Sequence, residues 1–384
     1  MNNKHLFLPM GSVTGVGSLP MTDADDAVAF VEVCCPRVPF WPQLPQRASS
    51  EGMIEQALLL FGDLLQRGAQ TPGYDVLPGA ESELARRLDD SPAELDTTRA
   101  AGFFAFERAL YAGAFPQALA LKGQIVGPVT LATQLRIQGR PLMDAHGQDV
   151  TGGIDLFRAV AWYVTRLALW QIERLQRWSR PVILMLDEPC LFLAAFRLSP
   201  VARHVLPVLK ESLTMIRAAG AIAGLHCCAR LPTALVYRAH PDLVSFDAHQ
   251  GLEEFVTNPD MQAFVRAGGL VAFGLVPTAS DLSQFHPLAL LSRWLESALV
   301  DGNIADLAER SLFTATCGLG LVSERAMRQS FQLAGQISAG VTALLERASR
   351  QAPDLPARDV PPLAARAQVP HSYTSFPLWR KKHD

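Results

Sequence analysis

The sequence predicts an α/β protein made of a single (β/α)8 TIM barrel with an insertion and a C-terminal extension. Three observations predict it. Eight short apolar runs recur along the chain. Amphipathic segments of helical period separate most of them. Reactive side chains follow directly where the runs end. Apolar strands joined by helices mark a parallel sheet buried on both faces. Eight such units favour a closed barrel over an open, doubly wound sheet.

The elements follow in order. The first run, residues 12–17, ends in GSLP, and the second, 38–41, ends in PQLP. The third, 119–126, ends in GPVT, and the fourth, 181–186, in DEPC. The fifth, 221–225, ends in HCC; the sixth, 243–246, in DAHQ. The seventh, 269–275, ends in VPT, and the eighth, 312–316, in CGLG. Helices are expected over 23–33, 51–66, 156–178, 201–219, 283–300 and 323–348. Residues 1–350 make the barrel, and the polar, turn-rich stretch 68–97 is an insertion before the third strand. Residues 351–384 hold six prolines and form the extension. An irregular tail wrapped on the barrel, or a partly disordered one, is expected there, with Tyr373, Phe376 and Trp379 on the side of docking. GVGSLP supplies two glycines of a dinucleotide-binding loop, but no helix opens on a third, so that motif is not made.

Composition excludes several function classes. With 49% apolar and 18% charged residues, the chain is not disordered. Lys and Arg number 34 against 37 Asp and Glu, which leaves no polybasic footprint for nucleic acid or anionic membrane. The apolar run 268–277 is about half the roughly 20 residues that a membrane-crossing helix needs. The N-terminus, MNNKHLFLPMGSVTG, is broken by Pro9 and Gly11, so no signal peptide is expected. Cys34, Cys35, Cys190, Cys227, Cys228 and Cys317 then read as thiols, metal ligands or core fillers, not a disulfide framework. The expected location is a reducing cytoplasm.

Function in such a barrel is built at the C-terminal ends of the strands. The residues there are Ser18, Gln43, Asp187, Glu188, His226, Cys228, Asp247, His249, Thr278 and Cys317. On extended backbone, side chains two apart point the same way, so His226 and Cys228 converge. Imidazole and thiolate together suit Zn²⁺, which N, S and O donors hold at four positions. The barrel brings Cys317, 89 residues on, within reach, and Asp247 offers a carboxylate. Cys227 is an alternative to Cys228, although alternation turns it to the core. His249 competes with Asp247.

These motifs carry a family resemblance. TGVGSLP, FWPQLPQR, GPVTL, LDEPCL, GLHCCA, GLVPT and TCGLG, in this order, resemble the C-terminal catalytic half of cobalamin-independent methionine synthase. They are closer still to the short core relatives that lack its N-terminal half. The resemblance runs from about Thr14 to Ala348. The wider superfamily includes uroporphyrinogen decarboxylase and the zinc enzymes that move methyl groups from corrinoid proteins to thiols.

The resemblance implies a zinc centre of His226, Cys228, Asp247 and Cys317, with Asp247 standing where the family usually has Glu. His226, Cys228 and Cys317 would carry catalysis. It implies that Ser18 holds an amino-acid carboxylate and Asp187 its amino group, with Glu188 as the alternative to Asp187. The family glutamate that helps bind the amino group has no clear match; Gln43, Arg47 and Glu51 lie in its region, and Gln43 is the substrate-binding candidate among them. The family tryptophan after GPVT is absent, with Thr133 and Gln134 in that stretch, which weakens the case for methyltetrahydrofolate as direct donor. The implied activity is zinc-dependent methyl transfer to a small thiol, homocysteine giving methionine. The donor is a corrinoid protein, a folate or another activated methyl compound. The alternatives are a methylcorrinoid methyltransferase with another thiol acceptor, a metal-free decarboxylase-like lyase, and a non-catalytic paralogue. A homodimer, formed through the insertion or the tail, is a further expectation.

Overall fold

The computed structural model describes residues 7–68, 72–146, 150–298 and 304–351. The expected extension lies, but for residue 351, outside the described residues, and so do Tyr373, Phe376 and Trp379. In chain order the strands are β1 (Ser12–Val13), β2 (Leu65–Arg67), β3 (Tyr74–Val76), β4 (Leu121–Val126), β5 (Leu135–Ile137) and β6 (Arg140–Pro141). They continue with β7 (Val182–Asp187), β8 (Ile222–Cys227), β9 (Leu243–Phe246), β10 (Leu270–Val276) and β11 (Ser311–Ala315). Seven form one sheet in the order β1-β11-β10-β9-β8-β7-β4, every neighbouring pair parallel.

The chain between Arg37 and Gln43 lies between the two edges of this sheet. On one side Lys122 N–H donates to Pro39 O at 2.9 Å, and Trp41 N–H to Lys122 O at 3.4 Å. On the other, Gln43 N–H donates to Gly17 O at 3.0 Å, and Leu19 N–H to Gln43 O at 2.9 Å. This stave closes the ring, and the fold is an α/β barrel. It forms single bridges at Phe40↔Lys122 and Ser18↔Gln43 and no regular ladder. Proline has no N–H to donate, and Pro36, Pro39, Pro42 and Pro45 recur at every third residue here. The first run is likewise shorter as a strand than expected, pairing regularly only over Ser12–Val13. The other six runs match β4 and β7 to β11.

Alternation along each strand separates two cores. Leu184 and Leu186 of β7 face the large core between sheet and helices. Ile183 and Met185 join Val38, Ala120, Leu243, Leu270, Ala272 and Leu312 in a smaller core, the inside of the barrel. Two residues further along the same face comes Asp187. His226 follows the inward Ile222 and Gly224 by the same period. The barrel interior is thus apolar at one end and polar at the C-terminal end.

Helices cover the outside. Asp23 caps Ala24–Cys34 by accepting from the N–H groups of Asp25 and Asp26. Val150–Leu175, Val205–Ala218, Pro287–Ala298 and Glu324–Gln351 form at the other expected positions. The exception is 51–66. Only Glu55–Leu58 is α-helical there, flanked by 3₁₀ turns at Ser49–Glu51 and Leu59–Phe61, and the chain then enters β2. Gly52 and Gly62 bracket the short helix, and glycine is a poor helix former. A small second sheet, β2-β3-β5-β6, flanks the barrel. The polar stretch 68–97 contains β3 and the helix Glu81–Asp90, which buries Leu84 and Leu88. Among the described residues no helix is long and apolar enough to cross a membrane.

Candidate metal centre

β8 ends at His226 and Cys227, and Cys228 follows. Cys227 turns outward into the helix-facing core, its Sγ 3.8 Å from the carbonyls of Ala229 and Arg230. Cys228 turns the other way, as alternation requires. A ring nitrogen of His226 and the Sγ atoms of Cys228 and Cys317 lie within 4.8 Å of one another. His226 Nδ1 stands 2.9 Å from Ser245 Oγ. Its Nε2 is buried and has no hydrogen-bond partner. An imidazole with one buried, unpartnered nitrogen and two sulfurs within 4.8 Å of the ring is a donor set that fits a zinc ion with one position open.

The two thiols share a proton unevenly. The Cys228 hydrogen bond, followed by the facing His226, holds Cys317 well below the ordinary thiol value despite its burial. The same bond, then burial, holds the proton on Cys228. Of the two sulfurs, Cys317 is the one held toward the thiolate. Its backbone is fixed by Thr278, whose Oγ1 accepts Cys317 N–H at 3.1 Å. Thr316 Oγ1 donates to the same hydroxyl at 3.1 Å.

The expected carboxylate ligand is not drawn into this group. Asp247 is the N-cap of the helix Ala248–Thr257, and its Oδ1 accepts Gln250 N–H at 3.0 Å. The shorter arm of Asp, engaged at the helix start, leaves the cluster with three donors. His249 also stays outside: its ring packs edge-on against Phe285 at 5.4 Å, and its buried Nδ1 has no partner.

Asp187 pairs in register with His226 across β7 and β8. Burial raises its carboxyl to about 6, against the pull of His226 and Lys122. Its Oδ1 is buried without a partner, so it can accept a ligand N–H. Lys122, inside the barrel, donates to Val16 O at 2.7 Å and Gln124 Oε1 at 3.1 Å. Burial lowers its ammonium to about 8.

Glu188 is not free for a ligand. Its carboxylate accepts Val129 N–H, Thr130 N–H and the Thr130 hydroxyl, at 2.9, 2.7 and 2.7 Å. It anchors the start of the helix Pro128–Thr133, and burial raises it to about 7. Gln43 is buried and donates from Nε2 to Gln56 Oε1 at 2.9 Å. Glu51 is fully buried, ion-paired with Arg47 at 2.7 Å and accepting Leu44 N–H. Those two side chains hold the proline-rich stave and leave no carboxylate from this region at the cluster.

Ser18 lies against the loop that follows Cys317. Its Oγ accepts Gly320 N–H at 3.1 Å, and its carbonyl accepts Leu319 N–H at 2.9 Å. A side chain at Gly318 would put its Cβ 2.3 Å from Ser18 Oγ. Two small cavities flank the centre. One is lined by Ser18, Cys317 and Ser330 among others, the second by Lys122, His226, Ser245 and Thr314 among others. Ser245 and Lys122 line this end of the barrel beside His226, although neither is among the residues expected there. Their signal was period two: each sits on the inward face of an apolar strand, where a polar residue needs a reason.

No protein-family model matches the sequence, and no curated protein does. Solved structures do. The chain is similar to a B12-independent methionine synthase from Shewanella sp. W3-18-1, solved in complex with selenomethionine. The TM-score is 0.53 at 12% identity, covering 88% of this chain and 99% of that one. What the two share is the barrel. The GH113 beta-mannanase AaManA from Alicyclobacillus acidocaldarius also aligns, with a TM-score of 0.40 and 12% identity over 88% of this chain and 97% of that one. At 12% identity the likeness to the synthase establishes the fold alone.

Proposed function

We propose that the chain is a zinc-dependent methyltransferase that moves a methyl group onto a thiol, with homocysteine as acceptor and methionine as product. The observation that carries this reading is the convergence of a His226 ring nitrogen with the sulfurs of Cys228 and Cys317 at the C-terminal end of the barrel. Zinc bound there would hold the acceptor sulfur as a thiolate, whereas a free thiol, with a pKa near 8.5, is mostly protonated at neutral pH.

The chain's own residues do the rest. Asp187 accepts the acceptor's ammonium, whose charge offsets the burial of the carboxylate. Ser18 Oγ already accepts from Gly320 and keeps its proton to donate to the acceptor's carboxylate. Holding both ends of the amino acid points its sulfur at the open metal position, and such positioning supplies much of the rate. The absence of tryptophan near Thr133 and Gln134 favours a donor other than a directly stacked folate, such as a methylated corrinoid protein.

Elemental analysis of the purified protein, followed by X-ray absorption at the zinc edge with and without homocysteine, tests this reading. The expected result is one zinc per chain with two sulfur ligands, rising to three with homocysteine. A protein that will not take up zinc sinks it.

A further inference from the structure

We propose that Ser245 is a positioning residue of this centre. Its hydroxyl accepts the Nδ1–H of His226 and so selects the ring tautomer that turns the Nε2 lone pair toward Cys228 and Cys317. The inference rests on the metal-centre reading and deepens it.

Ser245 and His226 face each other in register on the adjacent parallel strands β8 and β9. Both point into the barrel, both are buried, and Oγ stands 2.9 Å from Nδ1. A neutral imidazole carries one N–H and one lone pair. If the serine donated to Nδ1, the proton would sit on Nε2 and no metal could bind there. If it accepts, Nε2 presents its lone pair, and Nε2 is the buried atom without a hydrogen-bond partner. Metal-binding histidines generally give their second N–H to a carboxylate, a carbonyl or a water. Asp187, on the opposite flank of His226, keeps its Oδ1 unpartnered, so the role falls to the serine hydroxyl.

Ser245→Thr and Ser245→Val test this. The two new side chains have nearly the same shape, and only threonine keeps the hydroxyl. The cavity that Ser245 lines with Lys122 and Ala272 gives the added methyl a place to go. Zinc affinity is measured by competition with a chromophoric chelator, and the His226 ring tautomer is read by ¹⁵N NMR of the zinc-loaded protein. Ser245→Thr should bind zinc as wild type does, with Nδ1 protonated. Ser245→Val should bind about 10–100-fold more weakly. Equal affinities in the two variants overturn the role of Ser245 and leave the metal centre standing. Failure of the wild type to bind zinc overturns both. If the valine variant does not fold by circular dichroism, Ser245→Ala supplies the same comparison.

Discussion

The hydroxyl of Thr278 holds the backbone of Cys317: it accepts the Cys317 N–H at 3.1 Å and stands 3.4 Å from the Cys317 carbonyl oxygen. Neither residue is near the other in sequence, yet the end of β10 sets where the last sulfur of the cluster sits. Thr278→Val should leave that N–H without a partner and destabilise the protein by about 1–3 kcal/mol. It should also weaken zinc binding, because the sulfur loses its anchor. Thr278→Ser should restore both. Thermal melts and chelator competition check the pair; a valine variant with wild-type affinity would show that the loop holds Cys317 unaided.

Asp247 and the cysteines should separate cleanly. Cys228→Ala and Cys317→Ala each remove a sulfur from the cluster and should abolish stoichiometric zinc in the purified protein. Asp247→Ala removes a helix cap, worth about 1 kcal/mol, and should leave zinc bound. Elemental analysis of the three variants decides. Loss of zinc in Asp247→Ala would make the carboxylate a ligand after all, released from Gln250 when metal enters.

Much of this was legible in the chain. Continuous apolar runs located β4 and β7 to β11, because strands buried on both faces need apolar residues at every position. Period two alone put His226 and Cys228 together and turned Cys227 away. The losses have physical causes. The prolines at 36, 39, 42 and 45 let the second stave bridge its neighbours without a ladder. The apolar spacing over 51–66 looked helical, but Gly52 and Gly62 and the turn into β2 overrode it. Asp247 was expected to act as a ligand, yet at a helix start the same carboxylate is a cap, and spacing cannot tell the two apart. The inward position of Ser245 is legible by period two, but only the register of β8 on β9 shows that it faces His226.

Asp187 pairs function against stability. Its carboxyl titrates near 6 when folded, against about 3.9 in an unfolded chain. Between those values the folded state binds more protons, so stability falls as pH rises from about 4 through 6. The full effect is on the order of 3 kcal/mol. Asp187→Asn should abolish this part of the pH dependence. Urea unfolding of the metal-free proteins at pH 4 and pH 7.5 should show the variant gaining on wild type at the higher pH. The same variant should lose homocysteine binding by calorimetry. If the two proteins run parallel with pH, the carboxylate is already compensated and is no longer available to a substrate ammonium.

Ser18 and Gly318 should be energetically coupled. A methyl at 318 would lie 2.3 Å from Ser18 Oγ but 3.5 Å from its Cβ, an ordinary contact. The clash is therefore with the hydroxyl and not with the backbone. Gly318→Ala alone should force Ser18 aside, strip Gly320 N–H of its acceptor, and destabilise the protein by about 1–3 kcal/mol. In a Ser18→Ala background the same methyl meets no oxygen, so most of that loss should vanish. A double-mutant cycle by denaturant unfolding measures the difference, expected at about 0.5–3 kcal/mol for groups in contact. On the proposed function, Gly318→Ala should also raise the KM for the thiol acceptor while zinc content stays at one per chain, since the displaced hydroxyl binds the carboxylate and not the metal. An unchanged KM with a shifted Ser18 would remove that residue from substrate binding.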